Sequence, residues 1–214
     1  MNLTVLPYDL PDYRIFEADF PAFHIWQPEG TILVLGQSNK PETSLFTDKA
    51  LEDNIPVYKR PSGGETVILT PKTLVISILK ITEKLEDPKN YFNEINNLIF
   101  NGLTTIDISN LALKGISDIA INGKKILGSS IYRKKNKVFY HAVLNISETT
   151  EIMSRYIRHP RKEPDYRKGR EHAKFVTSLS EQGYGFGGGE ITASLEEVLI
   201  AGGFSRIDYG LLSF

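Results

Sequence analysis

At 214 residues the chain is long enough to bury one substantial core, and its 41% hydrophobic and 24% charged content is ordinary for a globular domain. A formal charge of -1 leaves no electrostatic footprint for nucleic acid or an anionic membrane. Cysteine is absent, which excludes a disulfide framework, a thiolate-ligated metal and a cysteine nucleophile.

In chain order, the first ten residues carry no basic stretch leading into an apolar run, so no secretory signal is expected and a cytoplasmic location follows. Runs rich in branched residues at 23–27, 31–36, 56–60, 66–69 and 73–80 read as strands. A meander occupies 116–146. There Asn122-Gly123 supplies the left-handed backbone of a tight hairpin between strands 118–121 and 125–132, and a basic turn at 134–137 leads into a strand at 138–146. Helical spacing is expected over 43–54, 88–102, 148–156 and 192–201. The second of these puts Tyr91, Ile95, Leu98 and Ile99 on one face; the last is opened by Ser194 and Glu197 and closed by Gly202-Gly203. No linker or repeat divides the chain, so 1–214 reads as one domain, with 180–214 a C-terminal extension. Many strands joined by short turns define an α+β class: a mainly antiparallel mixed sheet flanked by helices.

Several segments could carry chemistry. Lys59-Arg60-Pro61-Ser62-Gly63-Gly64-Glu65 lies between two predicted strands. Paired glycines let bare N–H groups approach anionic oxygens, although a hairpin turn alone also accounts for them. Lys125 opens a strand just before Gly128-Ser129-Ser130, where its ammonium would suit a phosphate or a developing oxyanion. Taken alone, it also reads as an exposed lysine after a turn. His141 sits inside an apolar strand and by itself reads as a hydrogen-bonded core residue. The four histidines show no ligand spacing, so no metal site is expected. The proline-punctuated run from Arg158 to Arg167 reads as an ordered surface loop, and the glycine-rich run 183–189 as a flexible connector.

The order of these pieces is more informative than any one of them. Arg-Pro-Ser-Gly-Gly after a strand is followed by Ser-Asp-Ile at 117–119, Asn-Gly-Lys-Lys-Ile-Leu-Gly-Ser at 122–129 and Tyr-His at 140–141. This succession resembles the lipoate–protein ligase A and octanoyltransferase family. The later Lys-Glu-Pro-Asp-Tyr-Arg run, with Arg170, His172, Phe175 and Val176, is similar to a ligase-like subgroup. The resemblance spans 31–179 and implies a fold related to class II biotin synthetases. It further implies that Arg60, Ser62, Gly63 and Gly64 cradle acyl chain and phosphate, and that Lys125 is the catalytic lysine. Gly128 and Ser129 would line the substrate site beside it, Asp118 would be the acidic residue facing the nucleotide, and His141 would close the acyl pocket.

The chain departs from the family at several points. Glu65 stands where a third loop glycine is usual, Leu69-Thr70 replaces His-Asp, Ser117 replaces Asn, and Ala142-Val143 replaces Gly-Thr. Residues after 179 are too few for the accessory domain of the larger ligases; either a separate partner chain supplies it or the full activity is absent. The implied reaction joins lipoic acid (or octanoate) to ATP, with Mg²⁺ accompanying the nucleotide and Asp118 a candidate ligand for it. The acyl group then passes to a lysine on a lipoyl domain of a 2-oxoacid dehydrogenase or on the glycine-cleavage carrier protein. Two rivals stand beside it: an octanoyl or lipoyl transferase working without cysteine, and a non-catalytic subunit that keeps only the fold.

Overall fold

The computed structural model describes residues 3–84 and 86–208; the outer ends of the expected 1–214 domain and 180–214 extension lie outside these. The strands form two sheets rather than one. The larger has seven strands in the order β11-β2-β6-β10-β9-β8-β7: β11 (Ser205–Arg206), β2 (Ala22–Trp26), β6 (Thr73–Ile81), β10 (Lys137–Asn145), β9 (Lys124–Lys134), β8 (Asp118–Ile121) and β7 (Leu111–Lys114). All its pairings are antiparallel except that of β11 with β2. The smaller sheet has the order β1-β4-β3-β5, from β1 (Val5–Pro7), β4 (Val57–Lys59), β3 (Ile32–Leu35) and β5 (Val67–Leu69). There β4 lies parallel to both β1 and β3. A parallel pair needs a long crossover, and the helical segment between β3 and β4 provides it.

Side-chain alternation explains how the layers stack. Along β6 and β10, Leu74, Ile76, Ile78, Tyr140, Ala142 and Leu144 enter the main core with α3 (Pro88–Thr105) and α6 (Gly188–Ala201). Their neighbours Val75, Leu79, Phe139 and Val143 face the other way, toward the smaller sheet and the 3-10 turn Pro11–Glu17. β6 is therefore buried on both faces over most of its length, which is why strict polar alternation is missing there. Each fully buried Leu or Ile contributes about 1.5–3 kcal/mol, so the sheet interior dominates stability. No helix among the described residues is long and apolar enough to cross a membrane.

Three helix expectations need correction. The segment expected as one helix over 43–54 is two, α1 (Pro41–Ser44) and α2 (Thr47–Glu52). Leu45 breaks it by turning extended to bridge Ile157 and bury itself in the second core. The helix expected from 148 begins at Thr150 instead, as α4 (Thr150–Tyr156). The last helix begins at Gly188, where Glu190 Oε2 accepts from the Gly187 N–H at 2.9 Å. Ser194 is not its cap. It lies inside the helix contact, donating to the Gly102 carbonyl at 2.6 Å. The 183–189 run is tied at Tyr184, whose hydroxyl accepts from the Ser109 N–H at 2.9 Å.

Candidate active site

A cleft of about 1120 Å³ opens where the two sheets meet. Val34, Ile68 and Leu69 of the smaller sheet and Val75 and Val143 of the larger give it an apolar floor. Lys40, Arg158, Arg161, Lys162 and Arg167 put positive charge around its wall. Arg60, Gly64, Asp118, Lys125, Gly128, Ser129 and His141 all line it, so most of the expected site residues converge here from distant parts of the chain.

Lys125 reaches the cleft through an irregularity. Lys125 and Gly128 are three apart, which in a regular strand puts them on opposite faces. The pairing of β8 with β9 skips a residue, however: Ile119 opposes Leu127 while Ala120 opposes Lys125. This bulge at Ile126 absorbs one position and re-aims the lysine. Ile126 and Leu127 both enter the main core, while Lys125 and Gly128 share the cleft side. The lysine arm then lies across Gly128, where any β-carbon would collide with its Cε and Nζ. Asp118, paired with Gly128 across the ladder, receives the ammonium at 2.7 Å on Oδ1. Its Oδ2 accepts from the Tyr166 hydroxyl at 2.8 Å. Burial and the Asp118 charge push the Tyr166 pKa up, so that phenol stays a donor. Thr177 N–H donates to the Lys125 carbonyl at 2.9 Å, so the segment following α5 (His172–Phe175) is stitched to the lysine's own backbone.

The glycine loop between β4 and β5 is organised by Arg60. Its Nε donates to Ser62 Oγ at 3.0 Å and to the Gly63 carbonyl at 3.2 Å, and its Nη2 donates to the Gly63 and Glu65 carbonyls at 2.8 Å each. Burial lowers its pKa to about 10, so it remains a cation at neutral pH. Gly64 has φ +85°, a backbone that side chains resist, and a β-carbon there would crowd Arg60 Nη2. Ser130 Oγ clips the loop to β9 by donating to the Gly63 carbonyl at 2.9 Å. Glu65 turns Oε1 toward the Lys162 N–H at 3.3 Å.

Neither Ser62 nor Gly63 is part of the cleft lining: Gly63 is exposed, and Ser62 stands buried behind the wall. Ser62 is 0% exposed, and its hydroxyl meets His141 Nε2 at 2.5 Å. Burial lowers the His141 pKa, so the ring is neutral at pH 7. Ser129, also at the cleft, donates its hydroxyl to the Ser117 carbonyl at 2.8 Å. Sequence reasoning assigned no role to Tyr8, Asp12, Ser130, Tyr166 or Arg167. Arg167 is a buried, cleft-lining cation stacked 4.7 Å above Phe175; the sequence marked it only as the end of the Lys-Glu-Pro-Asp-Tyr-Arg run, without a role.

This assembly is a lysine held over a glycine, facing a glycine loop braced by a buried arginine. Over residues 13–199 the sequence matches the lipoyl protein ligase A/B catalytic domain. The chain belongs to that family. Among relatives, it is 24% identical over 151 residues to lipoate-protein ligase A of Psychrobacter cryohalolentis, covering 70% of this chain and 42% of that protein. It is 26% identical over 128 residues to lipoate-protein ligase LplJ of Bacillus subtilis, covering 60% and 37%. The matched stretch thus spans less than half the length of these relatives. Among solved structures, the bi-partite lipoate protein ligase of Thermoplasma acidophilum superposes with a TM-score of 0.79 at 16% identity, over 98% of this chain and 88% of that one. A lipoate-protein ligase A bound with ATP superposes at 0.77 and 16% identity, over 97% and 88%. These likenesses establish the fold.

Proposed function

We propose that this chain is the catalytic domain of an ATP-dependent lipoate–protein ligase, with Lys125 at the centre of its chemistry. In the first step a lipoate carboxylate oxygen attacks the ATP α-phosphorus, pyrophosphate leaves, and lipoyl-adenylate forms. In the second a lipoyl-domain lysine amine attacks the acyl carbon, AMP leaves, and an amide remains. Negative charge builds beside the α-phosphate and the carbonyl in both steps, and a fixed cation there lowers both barriers. The observation that carries the reading is Lys125 Nζ in the cleft, held 2.7 Å from Asp118 across Gly128, where a β-carbon would displace the lysine arm. The apolar floor suits an acyl chain, and Gly64 presents loop backbone to the same cleft.

Magnesium would travel with the nucleotide. Among the described residues no three His, Cys, Asp or Glu side chains converge on a point. Asp118 already holds Lys125 and Tyr166, so phosphate oxygens and water are the fitting ligands. The Thermoplasma relative in fold is described as bi-partite and with its E2 lipoyl domain. By that likeness we assign this chain a lipoyl-domain acceptor and a separate accessory chain, with residues 1–214 as one catalytic domain. The test is to incubate the protein with lipoate and ATP and look for lipoyl-adenylate by mass spectrometry. Absence of the adenylate, with lipoate and ATP both shown to bind, would favour a subunit that keeps the fold without the chemistry.

A further inference from the structure

Beneath the cleft a polar row crosses the larger sheet. Ser130, His141, Ser77 and His24 sit directly opposite one another across β9, β10, β6 and β2. Over this row lies Asp12, on the 3-10 turn Pro11–Glu17 and 0% exposed. A buried carboxylate needs donors on every side. Tyr8 Oη donates to Oδ1 and Oδ2 at 3.0 and 2.9 Å, and Ser77 Oγ donates to Oδ2 at 2.9 Å. The third group facing it is His141 Nδ1, 3.9 Å from Oδ2.

The hydrogens can be placed by elimination. Tyr8 and Ser77 both donate to Asp12, so its oxygens act as acceptors here; a nitrogen lone pair aimed at them would be repelled, so Nδ1 carries the proton. In a neutral imidazole Nε2 is then the acceptor, and its partner at 2.5 Å is the Ser62 hydroxyl. Ser62 Oγ in turn accepts from Arg60 Nε at 3.0 Å. Ser62 Oγ thus links Arg60 Nε to His141 Nε2 by hydrogen bonds, while the Nδ1–H side of His141 meets Asp12 through an electrostatic contact at 3.9 Å. The order resembles a nucleophile, base and carboxylate, but Ser62 is fully buried and absent from the cleft wall, so it has no route to an acyl carbon.

We propose that Asp12 is a positioning residue for the acyl site: it holds His141 as the Nδ1–H tautomer, whose Nε2 anchors Ser62 and with it the Ser62–Gly63–Gly64 loop. Only the binding readout of the test rests on the lipoate reading. The tautomer readout does not.

The experiment has two arms. Long-range ¹⁵N–¹H NMR on the full chain, with His141→Gln assigning the resonance, reports which ring nitrogen is protonated. Wild type should show Nδ1–H. In Asp12→Asn the new amide N–H faces the ring, and the proton should move to Nε2. Calorimetry with free lipoate should then show affinity falling about tenfold for Asp12→Asn, the equivalent of about 1.4 kcal/mol. The double variant Asp12→Asn/Ser62→Ala should bind no more weakly than Ser62→Ala alone, because both act through one loop. A wild-type Nε2–H ring, or an Asp12 effect that persists in full without Ser62, would overturn the proposal. The tautomer is read on wild type, so a variant that fails to fold leaves that arm intact. A correct tautomer with no lipoate binding by wild type would count against the functional reading alone.

Discussion

At the residue scale, Lys125 and Gly128 form a unit whose two members make different predictions. Removing the ammonium with Lys125→Ala should leave the fold intact, since the arm is 30% exposed and its backbone bonds remain. The reaction should slow by about 10²–10³, roughly 3–4 kcal/mol of transition-state stabilisation. Gly128→Ala keeps the charge but puts a methyl where the arm lies. It should displace the lysine and give a similar loss with the cation still present. Adenylate formation measured for both variants, alongside melting temperatures, checks the pair. A Gly128→Ala enzyme of wild-type rate would show that the resting lysine position is irrelevant. Lys125 was visible in the sequence only through the order of motifs around it, since a lysine after an Asn-Gly turn is locally unremarkable. Asp12 gave no signal, because its partner Ser77 lies 65 positions away. Likewise Ser62 and His141 are separated by 79. Such contacts are created by sheet pairing and leave no local spacing to read.

At the element scale, the stretch from Arg158 to Thr177 is held over the site by specific anchors. Arg158 Nε donates to the Leu45 carbonyl at 2.8 Å, and its guanidinium stacks 4.4 Å from Phe46. Tyr166 fastens the middle to Asp118, and Thr177 fastens the end to Lys125. We expect Tyr166→Phe to fold, to lose roughly 1 kcal/mol or more from the missing bond to a charged acceptor, and to loosen this stretch. Limited trypsin digestion should cut faster at Arg161, Lys162 and Lys168 in the variant than in wild type. Equal rates would show that the Tyr166 bond does not hold the segment. The central strands were legible because branched residues and an Asn-Gly turn mark them locally. β1, β7 and β11 were not: at two to four residues, edge strands carry too few side chains to show a period. The split of 43–54 into two helices was hidden for a different reason. Leu45 leaves the helix to satisfy a contact with Ile157, and tertiary burial overrides local propensity.

At the scale of the whole molecule, the site lies at the seam of two sheets, so its stability and its chemistry share buried groups. Burial holds both His141 and His172 below the usual histidine pKa. A base whose pKa falls on folding binds protons more readily in the unfolded chain, so acid favours unfolding. The stability contributed by the neutral rings is intact above about pH 6.5 and is lost as pH falls below that value. The melting temperature should decline between about pH 6.5 and 5, and His141→Gln should show a shallower decline. Thermal scans across that range decide it, and an identical slope would remove His141 from the linkage.

On the ligase reading proposed above, the acyl group is activated as an adenylate. Transfer to an amine needs a carbonyl bearing a good leaving group, which an enzyme obtains as a thioester or as an adenylate. No cysteine occurs in these 214 residues, so this chain cannot hold the acyl group as its own thioester. The structure closes one substitute route as well, since Ser62, the hydroxyl nearest a histidine base, is buried behind the cleft wall. An adenylate instead needs cations and backbone N–H groups near phosphate, and Lys125, Arg167 and the Gly64 loop lie around one cleft. We therefore expect lipoylation of a purified acceptor domain by free lipoate to require ATP, and to be unaffected when the enzyme is first treated with a thiol-alkylating reagent. Efficient modification from an acyl-carrier thioester without ATP would make the chain a transferase that works without a cysteine thioester of its own.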